Sequence, residues 1–186
     1  MQFPGFGQGR GWVAVPKKHT IFIYSRTQLL SGIFLLVLGS LVYVIDRSPD
    51  QVYFTRYLGI HLKLLDSDPR ILGSIGLRLP AFFHVLSFSL ITGAFFSASK
   101  KRYLIVCLGW LLVNCCFELG QKYKSIALKL TPAFFEKIPF LENTRAYFLK
   151  GTFDIYDLAA FVLGALAAYG LLLITGRHQK SEIRGF

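Results

Sequence analysis

The sequence predicts an all-α integral membrane protein, a four-transmembrane-helix bundle with interfacial amphipathic helices in the two extracytoplasmic segments. Three observations carry that expectation. Of the 186 residues, 53% are hydrophobic, and the mean hydropathy is +0.48, above the roughly 45–50% apolar content and negative hydropathy of ordinary soluble domains. The apolar residues gather into four runs, each near the roughly 20 residues a helix needs to cross the hydrocarbon. The cations fall between the runs: Lys and Arg number 21 against 10 Asp and Glu, a net charge of +11. Juxtamembrane cations meet anionic lipid head groups and set orientation, so this balance calls for membrane lipids rather than nucleic acid as partner. No basic stripe interleaved with exposed aromatics points the other way. The length suits one membrane domain over residues 1–186, without room for a full soluble domain beside it.

Taken in order, a basic, Gly-rich tail over 1–26 precedes a first span at about 28–45, whose apolar run Leu29–Ile45 ends at Asp46. That run is too long for a cleavable leader, and no small-x-small site follows it. The second span, about 80–98, opens on Pro80, suited to a first helical turn where its missing N–H has no partner to lose. Only a tight turn, Ser99-Lys100-Lys101-Arg102, separates it from the third span at about 103–119. Three cations in so short a connection mark the cytoplasmic side. The fourth span covers about 155–175. Four crossings then place both termini in the cytoplasm. The outer segments 46–79 and 120–153 carry most of the acids, and within them Gln51–Leu65 and Ser125–Leu141 have the mixed apolar and charged spacing of helices lying in the interface. Cys107, Cys115 and Cys116 share one apolar run and read as reduced packing thiols, since adjacent residues of a helix point about 100° apart.

Polar groups within spans are costly, about 2.5–3.5 kcal/mol for an ionised one at the centre of a helix, so those present are paired, terminal or used. His84 lies one turn into the second span, Asn114, Glu118 and Gln121 end the third, and Asp154 and Asp157 open the fourth. All six belong to the same outer membrane face under this topology. Asn114, Glu118 and Gln121 recur at i, i+4 and i+7, forming one polar stripe. Asp157 shares a helix side with Ala160, Gly164 and Ala168, and small residues at four-residue intervals admit a neighbouring backbone. The expected site is therefore a polar pocket in the outer leaflet, able to hold a head group or share a proton. No HExxH-type spacing supports a metal, no second His supports a haem, and no nucleophile motif accompanies the acids, so neither cofactor nor catalytic residues are expected.

These residues resemble the VanZ-like family of small bacterial membrane proteins over roughly 80–175. The resemblance lies in "HVLSFSLITGAFFS", with an aromatic four residues after His84, in "ELGQ" from Glu118 to Gln121, and in "GTFDIYDLAAFVLGAL", with Asp157 three residues after Asp154 and Gly164 seven beyond that. Where the family carries an Asp-Lys pair this chain has Pro80 and Ala81, in place of its Arg stands Gly151, and in place of its Asn stands Phe161. The resemblance implies a multi-pass protein of the bacterial cytoplasmic membrane with a role in the cell envelope, which for the founding member is glycopeptide resistance. Two functions are expected from this reading: a non-catalytic envelope protein that engages a lipid head group or lipid-linked precursor, or an accessory subunit of a larger membrane protein complex.

Overall fold

The computed structural model describes residues 24–46, 72–96, 99–139 and 141–184. It is all-helical, with no strand among the described residues. In chain order the helices are α1 (Arg26–Asp46), α2 (Gly73–Gly76), α3 (Leu79–Ala94), α4 (Lys100–Lys122), α5 (Lys124–Leu130), a 3₁₀ turn (Ala133–Lys137), α6 (Thr144–Lys150) and α7 (Ile155–Arg184). Three stretches are long and apolar enough to cross a membrane: Gly73–Ala94 with 22 residues, Lys100–Lys122 with 23, and Ile155–Gly176 with 22. At 1.5 Å per residue each rises about 33 Å, matching a hydrocarbon core of roughly 30 Å. The protein is thus an all-helical membrane protein. The apolar part of α1 is shorter, Arg26–Val42.

Several boundaries differ from those read off hydropathy. Lys100, Lys101 and Arg102 are not a loop; they form the first turn of α4, after Ser99 at an extended φ of −149° and ψ of 128°. Cations there oppose the helix dipole, which is why hydropathy and charge together suggested a turn. At its other end α4 runs on to Lys122, because apolarity marks where hydrocarbon ends, not where the helix does. The Ser125–Leu141 segment, interrupted in sequence by Pro132 and Pro139, forms α5 and the 3₁₀ turn. The residue before a proline is driven out of the helical region, and Thr131, ahead of Pro132, accordingly sits at φ −74°, ψ 112°. The expected Gln51–Leu65 helix and the Gly-rich tail lie outside the described residues.

In lipid no hydrophobic force draws apolar helices together, so they associate where small residues let them approach. Here glycines sit at most helix contacts. A methyl carbon at Gly39 of α1 would lie 2.6 Å from Phe83 Cβ of α3, and one at Gly32 would lie 3.0 Å from the Ser87 carbonyl oxygen. Across the next contact, a methyl at Gly164 of α7 would lie 2.6 Å from the Phe82 carbonyl oxygen of α3. Ala160 and Ala168 on the same side of α7 are buried, and Ala168 joins Leu86, Leu90, Tyr103, Cys107 and Leu172 in the core shared by α3, α4 and α7. Outward, Leu30, Phe34, Val37 and Leu41 of α1, Ile105, Leu108 and Leu112 of α4, and Leu163 and Leu166 of α7 are exposed. In water so continuous an apolar belt would aggregate; against acyl chains it is the wetted surface.

One end of the bundle is tied by polar groups. The Ser25 N–H donates to the Ala94 carbonyl at 2.9 Å, fixing the start of α1 to the end of α3. Gln28, fully buried, donates from Nε2 to the Tyr103 hydroxyl at 3.0 Å and to Thr175 Oγ1 at 2.8 Å. One amide therefore joins α1, α4 and α7.

These contacts predict opposite outcomes at different glycines. Gly164→Ala must displace a backbone carbonyl, and overpacking of this kind costs about 1–3 kcal/mol. Gly109→Ala, whose added carbon meets nothing within 4 Å, should be neutral or stabilising by up to about 1 kcal/mol through helix propensity. Unfolding midpoints in mixed detergent and SDS would compare them, and equal midpoints would contradict the packing described.

Candidate functional site

At the end of the bundle opposite the Gln28 tie, the C-terminus of α4 meets the N-termini of α3 and α7. The stripe on α4 turns inward there: Asn114, Glu118 and Gln121 are all buried, Glu118 to 3% exposure. A carboxylate this deep in an apolar span requires donors, and both its oxygens have one. The backbone N–H of Asp154 donates to Glu118 Oε1 at 2.7 Å, and Gln121 Nε2 donates to Oε2 at 3.2 Å. The same nitrogen donates to the Tyr147 hydroxyl on α6 at 2.6 Å.

Gly151 makes this arrangement possible, since a side chain there would run into the Gln121 amide oxygen. α6 is held over the end of α4 by aromatic packing as well. Phe117 stacks on Phe148 with ring centres 5.6 Å apart, a methyl at Gly120 would lie 2.5 Å from Phe148, and Lys124 Nζ donates to the Leu149 carbonyl at 2.8 Å.

Asp154 precedes the first residue of α7 and caps it, its Oδ1 accepting the Tyr156 N–H at 2.9 Å, as an N-cap side chain does. Its Oδ2 faces Arg78 Nη2 at 3.7 Å. Arg78 Nη1 donates to the Ser74 carbonyl at 2.5 Å, and its guanidinium lies 4.4 Å from the centre of the Tyr156 ring. Asp157, half-buried one turn into α7, lies within electrostatic range of Glu118, as does Asp154.

Glu118, Gln121, Asp154 and Asp157 therefore come together. Asn114 is one turn deeper and donates to its own helix, Nδ2 to the Trp110 carbonyl at 2.8 Å. His84 stands apart, exposed on α3 in an open groove of about 270 Å³ against α1, with Leu36, Gly39, Ser40, Pro80, Phe83 and Phe88. Its ring packs on Phe88 with centres 4.7 Å apart, and Phe88 packs in turn on Trp110. No hydrogen bond or ion pair among the described residues joins His84 to Glu118. The stripe-side placement of Gln121 was readable from spacing; Arg78, Tyr147 and Gly151 were not, because they come from connecting segments whose path hydropathy does not reveal. Among the described residues no group of three or more His, Cys, Asp and Glu is placed to hold a metal ion.

The class that fold and site define is an all-helical membrane protein with a buried, hydrogen-bonded acidic centre at one end of its spans. No family model, no curated protein and no solved structure matches the chain.

Glu118 is the acceptor for the Asp154 N–H, whereas Gln121 Nε2 keeps the Tyr147 hydroxyl, so its removal leaves one backbone donor unpaired, at about 1–3 kcal/mol. Glu118→Ala should thus destabilise the protein by about 1–3 kcal/mol. Glu118→Gln keeps an acceptor for the Asp154 N–H and should lose less. Thermal unfolding in detergent tests the order; equal stability of both variants with the parent would mean that Glu118 does not hold α7.

Proposed function

We propose that the chain is a VanZ-like, multi-pass envelope protein, non-catalytic, whose polar cluster at the α4–α7 junction engages a lipid head group or lipid-linked precursor. One observation carries this reading: Glu118, Gln121, Asp154, Tyr147 and Arg78, drawn from four separate elements, converge at one end of the spans. Exposed Tyr123, Tyr147 and Tyr156 ring the same end, the depth at which amphipathic aromatics meet head groups. A non-catalytic role is supported by the partners of Glu118, a backbone N–H and an amide, neither of them a nucleophile. The His84 expected in this pocket lies in the α1–α3 groove, so the reading rests on the acidic centre without it.

In this reading α1 is the fourth crossing. Its 21 residues rise about 32 Å, and its exposed leucines and phenylalanine continue the belt of the other spans. Both termini then share the side of Lys100–Arg102, which the positive charge assigns to the cytoplasm of a bacterial inner membrane. Fusions at either terminus should give a fluorescent cytoplasmic reporter and an inactive periplasmic phosphatase; opposite reports from the two ends rule out the four-crossing topology.

The lipid reading is tested by extraction in mild detergent, with bound lipid quantified by mass spectrometry and assembly size read on native gels. Wild type should retain phospholipid or prenyl-linked lipid, and Tyr147→Phe and Gln121→Ala should retain several-fold less at equal membrane abundance. A lipid-free protein would sink the proposal, and a discrete larger assembly with other chains would favour the accessory-subunit function in its place.

A further inference from the structure

The Arg78–Asp154 pair at the rim of the cluster is poorly made as a structural ion pair. Its closest approach is 3.7 Å, with the two side chains 29% and 38% exposed, whereas a charge-assisted bond closes to about 2.7–2.9 Å and an arginine–carboxylate pair is commonly bidentate. Yet neither partner is loose. The guanidinium is pinned by the Ser74 carbonyl and by the Tyr156 ring, and the carboxylate is pinned by the Tyr156 N–H. Arg78 Nε is buried and has no hydrogen-bond partner. Two opposite charges are thus held side by side, in fixed orientations, without being spent on each other.

The surrounding charges narrow what would fit. Glu118 lies beneath with both oxygens occupied, and Asp157 adds a further carboxylate within its electrostatic range. Lys122, 4.9 Å from the centre of the Phe153 ring, is a further cation beside this loop. The site therefore carries both signs, and a purely anionic head group would meet the carboxylates as well as the guanidinium. A ligand with a phosphate and a primary ammonium joined by a short link satisfies both. Its phosphate oxygens can take the guanidinium donors, and its ammonium can donate to Asp154 Oδ2.

We infer that Arg78 and Asp154 form a recognition site for a zwitterionic phospholipid head group of the phosphoethanolamine type. The inference rests on the head-group function proposed above and specifies its ligand. Trimethylation of the amine, as in phosphocholine, removes the N–H donors, and a glycerol head removes the positive charge.

The full chain in detergent, titrated with phosphatidylethanolamine, phosphatidylcholine and phosphatidylglycerol and read by native mass spectrometry, tests this. Phosphatidylethanolamine should be retained roughly tenfold more than either of the others, the scale of one charge-assisted hydrogen bond. Asp154→Asn, which preserves a good N-cap, should abolish the preference over phosphatidylcholine while leaving the fold intact by circular dichroism. Arg78→Gln should lower retention of all three lipids several-fold. Equal or greater retention of phosphatidylglycerol by the wild type, or an unchanged preference in both variants, overturns the assignment and leaves the broader head-group function standing. Retention of no lipid at all overturns both.

Discussion

The hydrogen bond from the Asp154 backbone to Glu118 governs how this bundle is closed. Inside a membrane, a helix N-terminus carries donors that water cannot satisfy. α7 solves this with carboxylates from two sources: its own Asp154 caps the Tyr156 N–H, and Glu118 of α4 takes the N–H of Asp154. Both negative charges also sit favourably against the positive end of the helix dipole. Since α7 begins where α4 ends, its direction is set at that point. Gly164 then reaches the Phe82 carbonyl, and Ala168 and Leu172 reach the core. The burial of an acid is thus part of the architecture, and any ligand chemistry at the rim is built on a centre that already serves the fold.

The two ends of the bundle differ in kind. At the Gln28 end, beside the cations Lys100, Lys101 and Arg102 in the first turn of α4, the groups that tie the helices are neutral, an amide and two hydroxyls, and Gln28 and Tyr103 are almost completely buried. At the Glu118 end they are charged, and the group extends outward through Arg78, Lys122 and exposed tyrosines toward head-group depth. Between the ends, contact depends on glycines and alanines and on little else polar. Rigidity comes from both termini of the helices, and the lipid-facing middle supplies surface.

Much of this was legible in the sequence, and the reasons are physical. Hydropathy marks hydrocarbon depth, so three of the four expected runs fall on helices long and apolar enough to cross a membrane, although the second begins and ends earlier than the expected 80–98, and the i, i+4, i+7 recurrence of Asn114, Glu118 and Gln121 marks a buried face of α4. Gly164 was recognisable from its four-residue spacing with Ala160 and Ala168. The partners of these residues were not legible. Tyr147 and Gly151 lie beyond the amphipathic Ser125–Leu141 segment, in a connection whose path hydropathy does not reveal, and Arg78 precedes Pro80 without any periodic relation to Asp154. His84 shows the converse: residues at one membrane level need not share a pocket, and the helical phase of α3 turns it toward α1. Gln28 carries no sequence signal of its own, because a single amide at the edge of an apolar run is ordinary and its partners lie far along the chain.

That amide has a consequence for how the chain is assembled. Gln28 lies 75 residues before Tyr103 and 147 before Thr175. During synthesis α1 is made with a polar side chain whose second partner has not yet been translated. Until the last helix arrives, the amide must borrow hydrogen bonds from water at the interface or from whatever protein attends insertion. The tie can close only once α7 has been made, so a truncation before it leaves the amide without its Thr175 partner, the kind of defect by which an unfinished protein can be told from a finished one.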